Sequence, residues 1–237
     1  MQPDYVSPCG RFRLYCGDWL TLPLPPPDAI VTDPPYGIGY SPGGGGGGGI
    51  CRRDGSHYEK RFTVRDLVYG DDRPFDPAPL LALGVPLILW GGNHYASRLP
   101  DSPAWLVWDK RRGTTRNDFA DCELAWSNLP QVARLLPLMW NGMLRDTERG
   151  EPRVHPTQKP VAVMEWCLSF LPASAKSILD PYMGSGTTGV ACVRAGLAFT
   201  GVEIVPRFYA VARRRIEREL ALRDGRAPLT AGTGSLF

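Results

Sequence analysis

Residues 177–203 read SILDPYMGSGTTGVACVRAGLAFTGVE, and this stretch decides the fold. The apolar run at 177–179 predicts a short strand, and a glycine-rich turn follows it directly. Residues 186–194 carry a helical pattern that ends near Gly196, and residues 199–202 predict a second strand. A strand, a glycine-rich turn, a helix and a second strand make up a βαβ unit of the kind that binds nucleotides.

Five further β-rich runs lie outside this unit, so the sequence predicts seven strands in all. The five runs cover residues 12–16, 29–32, 86–90, 105–108 and 122–126. Two more helical patterns occupy residues 160–170, where Thr157 is placed to cap the helix, and residues 207–222. Strands that alternate with helices in this way predict an α/β fold.

Three segments do not fit the alternation, although we interpret residues 1–237 as a single domain. Residues 42–79 contain seven consecutive glycines followed by mixed charges, which predicts a flexible glycine-rich and basic loop. Residues 129–153 have the length and composition of a small target-recognition insert rather than of sheet. Residues 227–237 predict a frayed tail.

The composition is that of an ordinary globular protein, with 237 residues, 43% hydrophobic side chains and a net charge of +3. No apolar run approaches the roughly 18 residues of a membrane span. The first residues lack the basic and apolar regions of a secretory signal, so we expect a cytoplasmic protein. Six scattered cysteines without zinc-ligand spacing predict reduced thiols and no metal site.

Basic side chains cluster in two loop-like stretches, which makes them candidates for contacts with a nucleic-acid backbone. The clusters comprise Arg52, Arg53, Lys60, Arg61 and Arg65 in the first stretch and Lys110, Arg111, Arg112 and Arg116 in the second. Such loops can follow phosphates by charge. The alternative is a solvated charged surface without a ligand.

The first candidate site is the tetrapeptide Asp33-Pro34-Pro35-Tyr36, which follows the apolar run at 29–32. This position is the carboxyl end of a strand, where open α/β sheets bind ligands. Because proline has no N–H and a fixed φ, the carbonyl groups beside it are available as acceptors. A carboxylate next to such carbonyls suits the exocyclic amino group of a base, and Tyr36 offers a stacking face. A plain turn at the end of the strand is the alternative.

The second candidate site is DPYMGSGTT at residues 180–188, again directly after a strand. Its glycines allow a ligand to approach the backbone, and the free N–H groups of the following helix favour an anionic group. The lysine of a P-loop is missing, which disfavours a triphosphate. Glu203 ends the next strand near the roughly 20-residue offset at which an acid binds ribose hydroxyls, unless it is an ordinary solvated acid.

These motifs together resemble those of a known family. DPPY (33–36), then HPTQKP (155–160), then DPYMGSGTT (180–188) is the motif order of the β group of S-adenosylmethionine-dependent DNA amino-methyltransferases. WDK (108–110) and DCELAW (121–126) resemble small members typical of phages and prophages. The resemblance implies the class I methyltransferase fold, a Rossmann-like seven-stranded mixed sheet with helices on both faces.

The same resemblance implies roles for individual residues, and it extends from Gly17 to about Ile216. The catalytic residues would be Asp33, Pro34, Pro35 and Tyr36. The cofactor-binding residues would be Asp18, Thr157, Lys159, Asp180, Tyr182, Gly184, Ser185, Gly186, Thr187, Thr188 and Glu203. The acid at Asp18 would accept from the adenine amino group of the cofactor, and the helix after Thr157 would meet its carboxylate. Tyr182 departs from the family, which usually has phenylalanine there.

The activity implied is methyl transfer from S-adenosylmethionine to the N6 amino group of adenine in double-stranded DNA, with the base flipped out of the helix. N4-cytosine is the nearest alternative acceptor. Cytosine-specific members more often carry serine before Pro-Pro-Tyr, so Asp33 favours adenine. An RNA or protein acceptor, or a non-catalytic nucleic-acid-binding protein with the same fold, also stays open. Homodimers are common in the family, and the phage-like motifs suggest an enzyme without a restriction partner.

Overall fold

The computed structural model describes residues 2–40, 68–112, 120–141, 144–151 and 154–225. Its strands are β1 (Tyr5–Val6), β2 (Phe12–Cys16), β3 (Ala29–Thr32), β4 (Leu87–Trp90), β5 (Trp105–Asp109), β6 (Cys122–Ser127), β7 (Arg134–Pro137), β8 (Trp140–Asn141), β9 (Leu144–Arg145), β10 (Ser177–Asp180) and β11 (Ala198–Glu203). Its α-helices are α1 (Ala78–Leu81), α2 (Val161–Leu168), α3 (Thr187–Ala195) and α4 (Pro206–Arg223). Within these ranges, no helix has the length and apolar character needed to cross a membrane.

One mixed sheet dominates the fold, in the order β1-β2-β11-β10-β3-β4-β6-β5-β7. Strands β2, β11, β10, β3 and β4 run parallel, whereas β6 is antiparallel to both of its neighbours. Strand β3 pairs directly with β10, with Ile178 opposite Ala29 and Leu179 opposite Ile30. The strands that precede the two candidate motifs therefore end side by side, where the order of the sheet reverses.

All seven expected strands are present, but the expected strand count is too low. Within the described ranges the sheet has nine strands, because β1 and β7 are added at its two edges. Strand β1 is only two residues long, and β7 (RLLP) is largely exposed and ends in proline, so neither has the alternation that marks a strand in sequence.

Part of the expected insert at residues 129–153 is therefore sheet. Strand β7 pairs in parallel with β5, from Leu106 opposite Arg134 to Asp109 opposite Pro137. Only β8 and β9 form a separate two-stranded hairpin. Residues 142–143 and 152–153 of this segment lie outside the described residues.

The parallel strands are buried on both faces, and successive side chains enter two different cores. In β3, Ala29 and Val31 join the core that α2, α3 and α4 cover, whereas Ile30 joins the opposite core. In that second core Leu80 of α1 packs on the sheet. Helices thus lie on both faces, as the sequence predicted, with the three longer ones on one side.

Only residues 68–79 of the expected loop at 42–79 lie within the described ranges. Residues 42–67 lie outside them, and so does the expected tail at 227–237. The remaining part is not a flexible loop. The buried carboxylate of Asp71 accepts from the backbone N–H of Gly37 at 2.7 Å and of Tyr40 at 2.5 Å, and the Gly39 N–H donates to the Asp71 carbonyl at 2.8 Å. Phe75 is buried in the second core, and α1 begins at Ala78.

Candidate functional site

A cavity of about 1140 Å³ lies at the carboxyl ends of the central parallel strands. It brings the two predicted motifs together: Asp33, Pro34, Pro35 and Tyr36 line it, as do Asp18, Thr157, Lys159, Tyr182, Gly184 and Glu203. Five of the residues predicted to bind the cofactor are not in its lining, namely Asp180, Ser185, Gly186, Thr187 and Thr188. The cavity lining thus includes six of the eleven residues predicted to bind the cofactor.

The carboxylate of Asp33 is held by two side chains. The hydroxyl of Tyr36 donates to Asp33 Oδ1 at 2.6 Å, and Lys159 Nζ lies 2.5 Å from Asp33 Oδ2. Lys159 also donates to the Tyr36 hydroxyl at 3.0 Å. The sequence assigned Lys159 to the cofactor, whereas the structure places its ammonium group against the carboxylate of Asp33, which was predicted to be catalytic. The spacing within HPTQKP gives no sign of this, because the contact joins segments far apart in the chain.

Glu123 is a site residue that the sequence analysis missed. Its Oε2 lies 3.1 Å from Lys159 Nζ, and its Oε1 lies 2.7 Å from Lys110 Nζ. Burial opposes ionisation of Glu123, but the two lysines outweigh it and lower its pKa to about 2. Burial raises the pKa of Asp33 above its ordinary value, and Lys159 opposes that rise. Four charges of alternating sign thus lead from Lys110 to Asp33.

The ring of Tyr36 is fixed from its surroundings as well as through its hydroxyl. It stacks on the His94 ring, with a centroid distance of 5.0 Å and an interplanar angle of 16°. Gly91, with φ of +76°, lies so close that a Cβ there would collide with the Tyr36 ring. His94 therefore covers part of the aromatic surface that we expect to stack on a base.

At the other side of the cavity, Glu203 accepts from two backbone N–H groups. Gly184 N–H donates to its Oε2 at 2.9 Å and Val205 N–H to its Oε1 at 2.8 Å. Nearby, Asp18 Oδ1 accepts from Leu20 N–H at 3.1 Å and so caps a short 3-10 helix, Trp19–Thr21. Both carboxylates keep further lone pairs for a ligand.

The hydroxyl that distinguishes Tyr182 from the family's usual phenylalanine has a partner. It accepts a hydrogen bond from Trp19 Nε1 at 3.0 Å, and the two rings meet edge to face at a centroid distance of 6.4 Å. The ring of Phe75 contacts Tyr182 in the same way at 5.7 Å. Three aromatic side chains thus form one apolar wall of the cavity.

The polar side chains of the glycine-rich turn stabilise the fold instead of facing the cavity. Thr32 donates to Asp180 Oδ1 at 2.7 Å, which ties β3 to β10, and the Tyr182 N–H donates to the same oxygen at 3.2 Å. Burial raises the pKa of Asp180 to about 6. The Ser185 and Thr187 hydroxyls accept from Arg215 of α4 at 3.0 and 3.1 Å. Sequence motifs do not show which side of a turn its side chains occupy.

Thr157 does not cap the helix that follows it, contrary to expectation. Helix α2 begins at Val161, and the Val161 N–H donates to Glu148 Oε2 at 3.0 Å. The Thr157 hydroxyl instead lies 3.2 Å from Nδ1 of His155. A distant glutamate has taken the capping role, because Thr157 is too far from the first turn of the helix.

All three described residues that were predicted to contact DNA pair with acidic side chains. Lys110 pairs with Glu123, and the buried Arg111 lies 3.2 Å from Asp121. Arg112 is 53% exposed and lies 3.1 Å from Asp146. Of the two described arginines of this stretch, Arg112 is the more exposed, and Arg116 lies outside the described residues. Arg52, Arg53, Lys60 and Arg61 lie outside the described residues.

The pKa of Glu203 leads to a prediction about pH. Burial raises this pKa from 4.5 to about 7. A carboxyl group whose pKa is higher in the folded state stabilises the fold when protonated, so its contribution to the free energy of unfolding falls as pH rises through this interval. Between pH 4.5 and about 7, titration of Glu203 should lower the free energy of unfolding of the ligand-free wild type by on the order of 3 kcal/mol. We expect this decrease to be absent in Glu203→Gln.

Urea denaturation of the ligand-free protein at several pH values across the interval measures this effect. Glu165→Gln, which removes a partly exposed carboxylate of α2, serves as the matched control. Glu203 does not titrate as described if the free energy of unfolding falls by the same amount in all three proteins as pH rises from 4.5 to about 7.

Comparisons with known proteins agree with this geometry. Residues 105–214 match the family described as DNA methylase. The chain is 37% identical over 81 residues to the type II methyltransferase M2.DpnII of Streptococcus pneumoniae. The matched stretch covers 34% of this chain and 30% of that protein. The chain is 34% identical over 80 residues to M2.LlaDCHI of Lactococcus lactis subsp. cremoris, with the same two coverages. The chain thus spans about a third of the length of these curated relatives.

Among solved structures, the fold is similar to that of the PvuII DNA methyltransferase, a cytosine-N4-specific enzyme. The TM-score is 0.53 and the identity 13%, and the match covers 90% of this chain and 88% of the other. At this identity the likeness concerns the fold alone. It confirms the class I methyltransferase fold that the motifs predicted.

Proposed function

We propose that this chain, a relative of the S-adenosylmethionine-dependent DNA amino-methyltransferases, transfers a methyl group from S-adenosylmethionine to the N6 amino group of adenine in DNA. The family match over residues 105–214 confirms the resemblance that the motifs carry. It includes Lys110, Glu123, Lys159 and Glu203, although DPPY lies before it.

The observation that carries the proposal is that Asp33 and Glu203 open into one cavity of about 1140 Å³. A site for a single drug-sized ligand usually measures about 300–1,000 Å³, so this cavity has room for a nucleoside-like cofactor and a base together. Asp33 directly follows β3, and Glu203 is the last residue of β11. One acid is thus available to each ligand.

The side of the cavity around Glu203 fits S-adenosylmethionine by its chemistry. Carboxylates at Glu203 and Asp18 suit ribose hydroxyls and an adenine amino group, and the aromatic side chains of Trp19 and Tyr182 provide an apolar wall. Gly184 lacks the Cβ that would point toward the His155 ring, 3.5 Å from its Nε2. When bound, S-adenosylmethionine supplies an electrophilic methyl group on a sulfonium.

The chemistry proposed for Asp33 needs a second acceptor, for which the carbonyl of the neighbouring Pro34 is the candidate, and both residues line the cavity. The lone pair of an adenine amino nitrogen is delocalised into the ring, which makes the nitrogen a poor nucleophile. If Asp33 accepts one N–H and the Pro34 carbonyl the other, the nitrogen becomes more tetrahedral and its lone pair attacks the methyl carbon. The C–S bond would break as the N–C bond forms, with a neutral thioether as the leaving group, and Asp33 or water would take the proton that the methylated nitrogen releases.

The DNA part of the proposal rests on access to the base. The amino group of a stacked base is not accessible to a carboxylate that lines a cavity, such as Asp33, so the base must be flipped out of double-stranded DNA. Stacking of that base on Tyr36 and phosphate contacts from the two basic stretches remain predictions. Homodimer formation is a further prediction from the family resemblance.

The test is to incubate the purified protein with unmethylated double-stranded DNA and isotope-labelled S-adenosylmethionine, digest the DNA and identify the labelled nucleoside by mass spectrometry. We expect label in N6-methyladenine. Label in N4-methylcytosine would keep the mechanism and overturn the choice of base. No labelled base, despite cofactor binding measured by calorimetry, would contradict methyl transfer to DNA.

A further inference from the structure

We propose that Glu123 is a positioning residue of the active site, which tunes the Asp33 carboxylate through Lys159. This inference rests on the proposed function and deepens it by naming an electrostatic chain. The chain comprises Lys110, Glu123, Lys159 and Asp33 and is called the charge chain below. DPPY alone does not contain it.

The charge chain is assembled from separate parts of the fold. Glu123 lies in β6, Lys159 precedes α2, and Asp33 directly follows β3. Lys159 is the link, since its ammonium group lies 2.5 Å from Asp33 Oδ2 and 3.1 Å from Glu123 Oε2. Only 4% of the Lys159 side chain is exposed, so water screens these contacts little.

The sign of the charges explains why Glu123 is needed. During transfer the amino nitrogen gains positive charge, and the negative charge of Asp33 stabilises it. A lysine beside Asp33 opposes this effect, since its own positive charge is close to the reacting nitrogen. Glu123 compensates that charge, and Lys110 in turn compensates Glu123 at a distance of 2.7 Å. Lys159 can therefore fix Asp33 without cancelling its charge.

Other titratable groups also face Asp33 and must be kept constant. Tyr36, in the turn after β3, donates a hydrogen bond to Asp33. Burial is the larger cause of the raised pKa of Tyr95, and the charge of Asp33 adds to it. Asp180 at the end of β10 is a further buried acid, whose pKa Asp33 also raises. Tyr36 also contacts two members of the charge chain, since its hydroxyl donates to Asp33 and accepts from Lys159, so Tyr36 is left unchanged in every variant.

The proposal predicts opposite shifts from two substitutions. Glu123→Gln removes a negative charge and should lower the pKa of Asp33, because Lys159 then faces Asp33 alone. Lys159→Met removes the positive charge and should raise the pKa of Asp33. A role limited to packing would not produce shifts of opposite sign.

The test combines a direct titration with kinetics. The pKa of Asp33 is measured by carbon NMR in protein labelled at the aspartate carboxyl groups, assigned by comparison with Asp33→Asn. We expect Glu123→Gln to lower the pKa of Asp33. It should also lower kcat by roughly tenfold, which is less than the effect of removing a group that contacts the reacting atoms. KM for DNA should stay nearly unchanged. The acid limb of the kcat profile should move to lower pH, and Glu123→Asp should restore part of the rate.

Two variants keep this test decisive. Glu165→Gln on α2 is the matched control. If Lys159→Met does not fold, Lys110→Gln replaces it. This variant should raise the pKa of Asp33, because it removes a cation from the same charge chain. The proposal is overturned if Asp33 titrates alike in wild type, Glu123→Gln and the control. Failure of the proposed function gives a different result, since wild type would then methylate no base while the Asp33 titration still responds to Glu123.

Discussion

Asp33→Asn is expected to lower the rate of methyl transfer by roughly 100- to 1,000-fold, as loss of an electrostatic contact to the reacting group does in other enzymes. Asparagine keeps the shape of the side chain but lacks the negative charge that stabilises the amino nitrogen as it is methylated. Its amide group also presents N–H donors where Lys159 Nζ now lies 2.5 Å from a carboxylate oxygen. Affinity for S-adenosylmethionine should change little, because Glu203 and Asp18 are untouched.

Single-turnover transfer to DNA, measured together with calorimetric binding of S-adenosylmethionine, separates these two effects. Asp101→Asn is the matched control, since Asp101 is exposed and does not line the main cavity. Full activity in Asp33→Asn would show that the acceptor group has been assigned to the wrong residue. Loss of cofactor binding along with activity would point to a damaged cavity instead of a missing charge.

Gly91→Ala should damage both stability and activity. The φ of Gly91 is +76°, a conformation that costs an L-residue roughly 1–2 kcal/mol, and the new Cβ would collide with the Tyr36 ring. Tyr36 must then move, which breaks its hydrogen bond to Asp33 and its stacking on His94. We expect the free energy of unfolding to fall by about 2–4 kcal/mol, in the range of an overpacked core with backbone strain.

Gly84→Ala is the control for this substitution. Gly84 has φ of +65°, and a Cβ there would meet no atom within 4 Å, so the variant carries the backbone strain without the collision. Urea denaturation and methylation assays on both variants isolate the part due to Tyr36. Equal losses of stability, with activity retained in both, would mean that the packing of Gly91 on Tyr36 does not support the site.

Local patterns in the sequence were sufficient to predict the central strands and the position of both motifs at the ends of strands. Residues 29–32 and 177–179 are apolar runs bounded by turn residues, and each motif follows its strand within one residue. Edge strands were missed because β1 and β7 have little burial pattern of their own. Their pairing with β2 and β5 supplies the order that the local sequence does not encode.

The composition of the candidate site was only partly predictable, for a different reason. Asp33, Tyr36 and Glu203 were predicted because each lies at the end of a strand or just after it, and all three line the cavity. The pairing of Lys159 with Asp33 and Glu123 depends on three segments that meet only in the folded protein. Glu148 likewise reaches the first turn of α2 from outside the helix, where a local pattern favoured Thr157.

Asp71 holds the turn at Gly37–Tyr40 against the segment that begins at residue 68, through its carboxylate and its carbonyl. Tyr40 and Val68, the described residues on either side of the segment 41–67, consequently lie near each other and both line the cavity. Closing a longer flexible segment costs little, about 0.6 kcal/mol for each doubling of its length. Tyr40 and Val68 can therefore be joined by a segment of another length and sequence while Asp33 keeps its place, which makes this position a convenient graft point.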